Sequence, residues 1–215
     1  MSTKKQDAER AALLEAALPN IAFDGWTEKA FAEAADMLSK DRREVKRLFP
    51  SLPMDAILFH SRQADAQLEA TLKNDYAMDE MKIRERIATA VMVRLRQHNE
   101  QREAIRRAMG VLMLPWNSAA SLKSLYETVD VMWRCAGDTS TDYNFYTKRA
   151  LLGKVYTSTL YVWLNDDSED LAETEAFLHR RIENVMQINK LKAQMSKPLD
   201  AFTQFAEQFM PSRKA

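Results

Sequence analysis

Apolar residues recur at intervals of three and four along almost the whole chain, and this spacing constrains the fold more than any other feature. The clearest stripe begins at Ser118 and continues through Leu122, Leu125, Tyr126, Val129, Met132, Trp133 and Ala136. Residues spaced in this way share one face of an α-helix. No stretch alternates apolar and polar residues for long, and 4 Gly and 6 Pro leave room for few tight turns. The sequence therefore predicts an all-α protein.

The predicted helices group into three parts. Residues 6–50 predict an N-terminal piece of three short helices, the first over residues 6–18. Residues 51–190 predict a larger helical body. Pro198 separates this body from a last amphipathic helix over residues 199–210.

Local signals mark where two of the N-terminal helices begin. Thr27 is a natural N-cap, and Trp26 and Phe31 occupy the two ends of a hydrophobic staple. Asp41 with Glu44 resembles a capping box at the start of the third helix. These signals fix where the chain turns within the N-terminal piece.

Composition narrows the class of protein. Lys plus Arg and Asp plus Glu each number 31, so the net charge is zero, which argues against a protein built mainly to hold nucleic acid. We find no secretory signal and no apolar run near the length of a membrane span. We therefore expect a soluble protein made in a cytoplasm.

One run, Ala136 to Arg149 (AGDTSTDYNFYTKR), is more specific than a helix corner requires. Gly137 can adopt the left-handed backbone that ends a helix, and the Asp, Ser and Thr residues after it can cap the next one. Neither role explains why aromatic residues and Arg149 follow at once. The next helix, over 141–164, is apolar on several faces, which predicts a central, mostly buried helix. Gly153 within it costs about 1 kcal/mol relative to Ala, so we expect a neighbour or ligand to approach closely there.

Two architectures fit this organisation, and the first is that of TetR-type repressors, in which three short helices precede a larger body. Here the third helix, DRREVKRLF, would carry Arg42, Arg43, Lys46 and Arg47 toward DNA. Residues 40–47 hold five positive and two negative charges, a net of +3. The helix lacks the small-residue turn and the terminal aromatic pair that are usual in that class. A DNA-binding regulator that senses an apolar effector is therefore the alternative function.

The second architecture rests on a resemblance. The run AGD-x-STD-x-N-x-Y-x-x-R, with ALPN and SLKSLYETVDVMW upstream and FLHRRIENV downstream, resembles the ubiquinone (coenzyme Q) biosynthesis accessory family, the ninth protein of the Coq set. The resemblance covers about Leu112 to Val185 and extends more weakly from Leu13 to Leu68. Members of this family are similar to TetR repressors in fold but bind lipid.

The resemblance implies a homodimer with an apolar pocket for an isoprenoid or quinone lipid. The protein would present this lipid to the di-iron demethoxyubiquinone hydroxylase and would need no cofactor of its own. Met-rich helical bodies suit long flexible ligands. We expect the pocket wall at Met132 of one helix and at five residues of the next, Leu152, Val155, Tyr156, Leu160 and Trp163.

The resemblance also implies a docking patch for the hydroxylase on the helix that ends at the run. Asp130 and Trp133 match this patch, and Arg134 and Cys135 stand where relatives have two tyrosines. We expect partner contacts at Asp130, Trp133 and Arg134. Because Trp133 lies on an apolar stripe, a core position is the alternative.

Membrane contact is expected at the C-terminal helix. Residues 199–210 place Leu199, Phe202, Phe205 and Phe209 along one face, and family members carry an amphipathic helix here that touches the bilayer. Docking of the same face onto the body is the alternative. The resemblance thus implies peripheral association with the cytoplasmic face of the inner membrane.

The common catalytic signatures are absent from the sequence. It contains no G-x-S-x-G, P-loop or G-x-G-x-x-G motif, and no Glu-x-x-His pair that would hold a di-iron site. His179 and Glu183 lie four residues apart, but such a pair alone is weak evidence for a metal. We therefore expect no enzyme activity and no metal site.

Overall fold

The computed structural model describes residues 4–140 and 143–187 of the chain. Over these residues α-helices are joined by turns and short 3-10 segments, with no β-strand. The helices are α1 (Lys4–Asp24), α2 (Glu28–Met37), α3 (Arg43–Leu48), α4 (Met54–Asp75), α5 (Ile83–Arg96), α6 (Arg102–Leu112), α7 (Ser118–Cys135), α8 (Tyr143–Trp163) and α9 (172–187). The prediction of an all-α fold is confirmed.

Local capping fixes the start of α2. The side-chain oxygen of Thr27 accepts a hydrogen bond from the backbone N–H of Ala30 at 3.4 Å. The rings of Trp26 and Phe31 pack with centroids 6.5 Å apart, and both side chains are buried. The N-cap and the staple expected here are therefore present.

The first and third helices differ from the sequence expectation. α1 continues through Pro19 to Asp24, because Ile21 beyond the proline is fully buried and holds the last turn against the core. At α3 the carboxylate of Asp41 accepts from the N–H of Arg43 at 2.8 Å. Glu44 instead faces Lys40 at 3.7 Å, so the reciprocal half of a capping box is not formed.

The core consists of two clusters of buried apolar side chains. The first cluster joins α1, α2 and α3 to the first half of α4 and to α6, through Ala56, Ile57, Phe59, Ala104 and Ala108 among others. The core of the N-terminal piece thus extends beyond residue 50, since α4 and α6 supply one of its walls.

The second cluster forms the helical body and draws on α4, α5, α7, α8 and α9. α5 is its central helix, since every residue from Ala90 to Leu95 is buried. α8 buries Trp163 and Leu152 on one side but exposes Tyr146 and Tyr161 on another. The helix expected to be buried on most sides therefore has one open face.

Buried polar side chains lie where the two clusters meet. His60 on α4 and His98 after α5 both lie within hydrogen-bonding distance of the Gln101 side-chain oxygen, at 3.0 and 3.2 Å. Arg94 donates to the carboxylate of Asp65 at 3.1 Å. Burial lowers the pKa of His60 to about 4, and the nearby charge of Arg94 adds to this effect. The imidazole of His60 is therefore neutral near pH 7.

Within the described ranges, no helix is both long enough and apolar enough to cross a bilayer.

Candidate functional site

A groove with a volume of about 920 Å³ runs between α7 and α8. We call it the α7–α8 groove. Its walls are Leu122, Leu125, Tyr126 and Val129 of α7, then Tyr146, Arg149, Ala150, Gly153, Lys154, Thr157, Ser158, Tyr161 and Val162 of α8, together with Phe177 of α9. Leu122 is 66% exposed, and Tyr126, Tyr146 and Tyr161 are also exposed. Large apolar side chains clustered at an open groove indicate a surface that binds something apolar.

Small residues on α8 form the floor of the groove. Ala150, Gly153 and Thr157 follow one another at intervals of three and four, so they share one helix face. A Cβ added at Gly153 would lie 3.7 Å from the Leu125 side chain, which is ordinary contact. The missing side chain therefore leaves space in the groove without being required by the fold.

Few polar side chains line the groove. Ser158 donates to the carbonyl of Val155 in its own helix, at 2.9 Å. Lys154 is exposed and forms no ion pair with any other residue in the described part of the chain. The groove thus offers one ammonium group beside an apolar wall, a combination that suits an apolar ligand with an oxygen-bearing end.

Residues 136–140 of the run form the described part of the corner between α7 and α8. Gly137 has a φ of +84°, and its N–H donates to the carbonyl of Arg134 at 3.0 Å. The N–H of Asp138 donates to the carbonyl of Trp133, also at 3.0 Å. These two bonds form the Schellman motif that ends a helix at a left-handed glycine, so the role predicted for Gly137 is confirmed.

Arg149 ties this corner to α7. Its guanidinium donates to Asp130 at 2.7 Å, to Asp138 at 3.1 Å and to the carbonyl of Phe145 at 3.1 Å. It also lies 3.4 Å from the centroid of the Phe145 ring. Only 3% of its side chain is exposed. The conspicuous arginine of the run therefore has a structural role, because its donors are directed at the corner.

Asp138 is the second residue that stabilises the corner. Its carboxylate accepts from Lys148 at 2.7 Å and from the Ser140 hydroxyl at 2.7 Å, in addition to Arg149. Burial alone would raise the pKa of Asp138, but these hydrogen bonds outweigh it and lower the pKa to about 2. The carboxylate is therefore ionised near pH 7.

The residues predicted to form the lipid wall lie in the core of the body. Leu152, Val155, Tyr156, Leu160 and Trp163 of α8 and Met132 of α7 are all buried in the second cluster. None of the six lines the α7–α8 groove, because they belong to the faces of α7 and α8 that pack inward. Contact between these residues and a lipid stays a prediction. The sequence pattern that could have predicted the groove is the row of small residues at 150, 153 and 157.

The predicted docking residues lie together at the corner. Trp133 is half-buried, and its indole N–H donates to the carbonyl of Lys148 at 3.1 Å. Arg134 is half-exposed and faces Asp130 at 3.2 Å and Glu69 at 3.5 Å. The structure therefore brings Asp130, Trp133 and Arg134 to one end of α7, with Arg134 the most accessible of the three.

The remaining predicted sites are the membrane residues of the C-terminal helix and the candidate metal ligand His179. The membrane residues Leu199, Phe202, Phe205 and Phe209 lie outside the described residues. His179 lies 3.8 Å from Glu175, and both side chains are about half exposed. No group of three or more metal-ligating side chains occurs in the ranges that the structure describes.

The basic helix α3 is largely neutralised by neighbouring acids. Arg42 pairs with Asp36 at 2.5 Å, and Arg43 pairs with Asp41 at 2.9 Å. Arg47 lies 2.7 Å from Glu9 of α1. These pairs occupy three of the four cations predicted to face DNA, whereas Lys46 is exposed and forms no ion pair in the described part of the chain, so the regulator alternative stays a prediction.

Comparison with solved structures identifies the fold. A TetR transcriptional regulator from Nitrosomonas europaea ATCC 19718 superposes with a TM-score of 0.63, over 82% of this chain and 97% of that chain. The two sequences are 18% identical, so the likeness concerns the fold alone. It confirms the TetR-like architecture expected from three short helices followed by a larger body.

Comparison with known sequences identifies the family. A family model described as COQ9 matches residues 118–189. The mitochondrial ubiquinone biosynthesis protein COQ9 of Rattus norvegicus is 34% identical over 89% of this chain, and that of Homo sapiens is 33% identical over the same share. The chain spans a little under two thirds of these relatives, 63% and 62%. COQ9-B of Xenopus laevis is 34% identical, with 67% of its length covered. The chain therefore belongs to the COQ9 family of ubiquinone biosynthesis proteins.

Proposed function

We propose that this protein binds an isoprenoid or quinone lipid in the α7–α8 groove and presents it to the demethoxyubiquinone hydroxylase, without catalysing a reaction itself. A role in ubiquinone biosynthesis follows from the family. The observation that carries the finer proposal is the groove, about 920 Å³ in volume, open along one side and lined mainly by apolar and aromatic side chains. A long, flexible hydrocarbon chain suits a groove of this kind.

The few polar groups of the groove suit the ring of a quinone lipid. The ammonium of Lys154 and the hydroxyl of Thr157 are both exposed and lie one turn apart on α8. Both are hydrogen-bond donors that quinone oxygens accept. Arg149 is committed to the corner by its three hydrogen bonds, so it holds the groove wall in place.

The proposed docking face lies next to the groove. Val129 lines the groove, and Asp130 is the following residue on α7. A hydroxylase bound at Asp130 and Arg134 would therefore meet the lipid at the end of the groove nearest the corner. Peripheral attachment to the cytoplasmic face of the inner membrane and a homodimeric state belong to the same proposal.

Gly153 provides the test, because a larger side chain there would fill the groove while leaving the core untouched. Gly153→Leu should lose co-purified lipid, and Gly153→Ala should keep most of it. The alanine variant should also be more stable by about 1 kcal/mol, since Gly in mid-helix is unfavourable and the new Cβ meets Leu125 at ordinary contact distance. Native mass spectrometry after detergent-free purification measures the bound lipid, and thermal unfolding checks the fold.

Two results would contradict the proposal. One is a wild-type protein that carries no apolar ligand and takes none up from quinone-loaded vesicles. The other is a folded Gly153→Leu variant with the same lipid content as the wild type, which would place the lipid outside the α7–α8 groove.

A further inference from the structure

We propose that the turn between α6 and α7, residues Met113 to Trp116, inserts into the surface of an anionic lipid bilayer. We call it the apolar turn. Met113 and Trp116 are each 77% exposed, and Leu114 between them is also exposed. Single exposed apolar residues are common, but three large ones within four residues are not explained by packing in this chain. Trp is also the side chain that favours the boundary between water and hydrocarbon.

The backbone around the apolar turn has few groups left for water to satisfy. The N–H of Met113 donates to Met109 at 3.0 Å, and that of Leu114 donates to Val111 at 3.2 Å. Pro115 has no N–H to satisfy. Pairing of these two N–H groups lowers the cost of moving the turn into a medium of low polarity.

Side chains from α7 and the adjoining turn satisfy the last carbonyls of α6. Asn117 donates to the carbonyl of Val111 at 2.9 Å, and Ser121 donates to that of Leu112 at 2.8 Å. These carbonyls would otherwise require water at the helix end. The apolar turn is therefore a fixed projection whose polar neighbours are directed inward.

The charges around the apolar turn complement an anionic surface. No charged residue lies between Arg107 and Lys123, an interval of 15 residues that is the longest of its kind in the chain. Residues 104–126 contain three cations and no acid. Glu103 lies 3.2 and 3.4 Å from Arg106 and Arg107, and Glu127 lies 3.9 Å from Lys123, so residues 103–127 carry a net charge of +1. An uncharged centre with a small excess of positive charge at its ends suits hydrocarbon beneath anionic headgroups.

The position of the apolar turn adds to the proposed function a route for the lipid. Leu122, which lines the α7–α8 groove, follows Trp116 by six residues, about 9 Å along the axis of a helix. A lipid leaving the bilayer at the turn would therefore meet the apolar wall of the groove at once. This route rests on the proposed function, whereas insertion of the turn does not.

Trp116 itself can report insertion. Trp26 and Trp163 are buried and Trp133 is half-buried, so Trp116 is the tryptophan most open to a quencher. The full chain is mixed with phosphatidylcholine vesicles, or with vesicles of equal parts phosphatidylcholine and phosphatidylglycerol, each with brominated acyl chains. We expect tryptophan emission to be quenched mainly by the anionic vesicles, and less at high salt. Trp116→Phe should still sediment with the vesicles but lose the quenching.

A matched pair of variants tests the contribution of the turn to affinity. The double variant Met113→Ser with Trp116→Ser should lose about tenfold or more of the affinity for anionic vesicles, because two large apolar contacts are removed. Met37→Ser removes a methionine that is 70% exposed on α2, away from the turn, and should bind as the wild type does. Far-UV circular dichroism confirms that each variant is folded.

Two outcomes would overturn the inference. In the first, anionic vesicles leave the emission unquenched and the double variant sediments as the wild type does, which would assign membrane contact to another segment. In the second, the double variant turns a wild-type dimer into a monomer and no quenching is seen, which would show that the turn contacts a second copy.

If the wild type shows quenching but carries no lipid in the groove, lipid presentation is refuted and insertion of the turn is still supported. Loss of lipid from Gly153→Leu with quenching unchanged would support both.

Discussion

At the scale of single residues, Arg149 shows how a conspicuous side chain can serve the fold. It is buried, and it joins Asp130 of α7 and Asp138 of the corner to the start of α8. A buried cation is tolerated only where its partners are well placed, and here three oxygens accept from it. Any ligand in the groove is therefore held mainly by the apolar wall.

Replacing this arginine should cost far more stability than replacing its exposed neighbour. Arg149→Met leaves the buried carboxylate of Asp138 with one cation, Lys148, so we expect the free energy of unfolding to fall by about 3 to 5 kcal/mol. Arg134→Met removes a half-exposed ion pair with Asp130 and should cost about 1 kcal/mol or less. Urea unfolding of both variants measures the difference. Equal losses would contradict the structural role of Arg149.

At the scale of helices, the two faces of α8 have different tasks. One face carries Leu152, Val155 and Trp163 into the core, and the other carries Gly153 and Tyr161 along the groove. α7 has the same division, with Met132 inside and Leu122 outside. The pair of helices thus supports the body and forms the groove at once.

Local signals in the sequence were enough to predict the starts and ends of several helices. Thr27 caps α2 and Gly137 ends α7 because such bonds involve neighbours within six residues. The choice of face on α8 could not be predicted in the same way. Periodicity shows that a helix is apolar on several sides, but which side meets the core depends on α5 and α7, far away in sequence. The six residues predicted to form the lipid wall are buried in the second cluster, and their contact with lipid stays a prediction.

The end of α7 gives a prediction about docking. Arg134 is accessible and Trp133 is anchored to Lys148, so Arg134→Glu should weaken capture of the purified hydroxylase while the melting temperature stays near that of the wild type. Trp133→Ala should lower both, because it also removes a hydrogen bond and core packing. Lys123→Glu, at the other end of α7, is the charge-reversal control and should be captured normally. Capture of the Arg134 variant at the wild-type level would move the docking face elsewhere.

At the scale of the whole molecule, two apolar clusters are joined by α4 and by polar contacts beside it. The ring of Trp26 in the first cluster lies 5.7 Å from that of His60 on α4. His60 in turn reaches Gln101 and lies 4.8 Å from the ring of His98. The N-terminal piece is therefore held to the body by α4 and by these polar contacts.

Mild acid should weaken this junction. Burial lowers the pKa of His60 to about 4 and that of His98 to about 2, with a further contribution from Arg94, against 6.5 in the unfolded chain. The folded state thus binds fewer protons, so stability is complete above pH 6.5 and falls as the pH drops toward 4, by at most about 1.4 kcal/mol per pH unit for each histidine. Urea unfolding between about pH 7 and about pH 4.5 measures this slope. His60→Gln should flatten it, whereas His179→Gln, at an exposed site, should leave it unchanged. The same slope in all three proteins would show that His60 is not kept neutral by the fold.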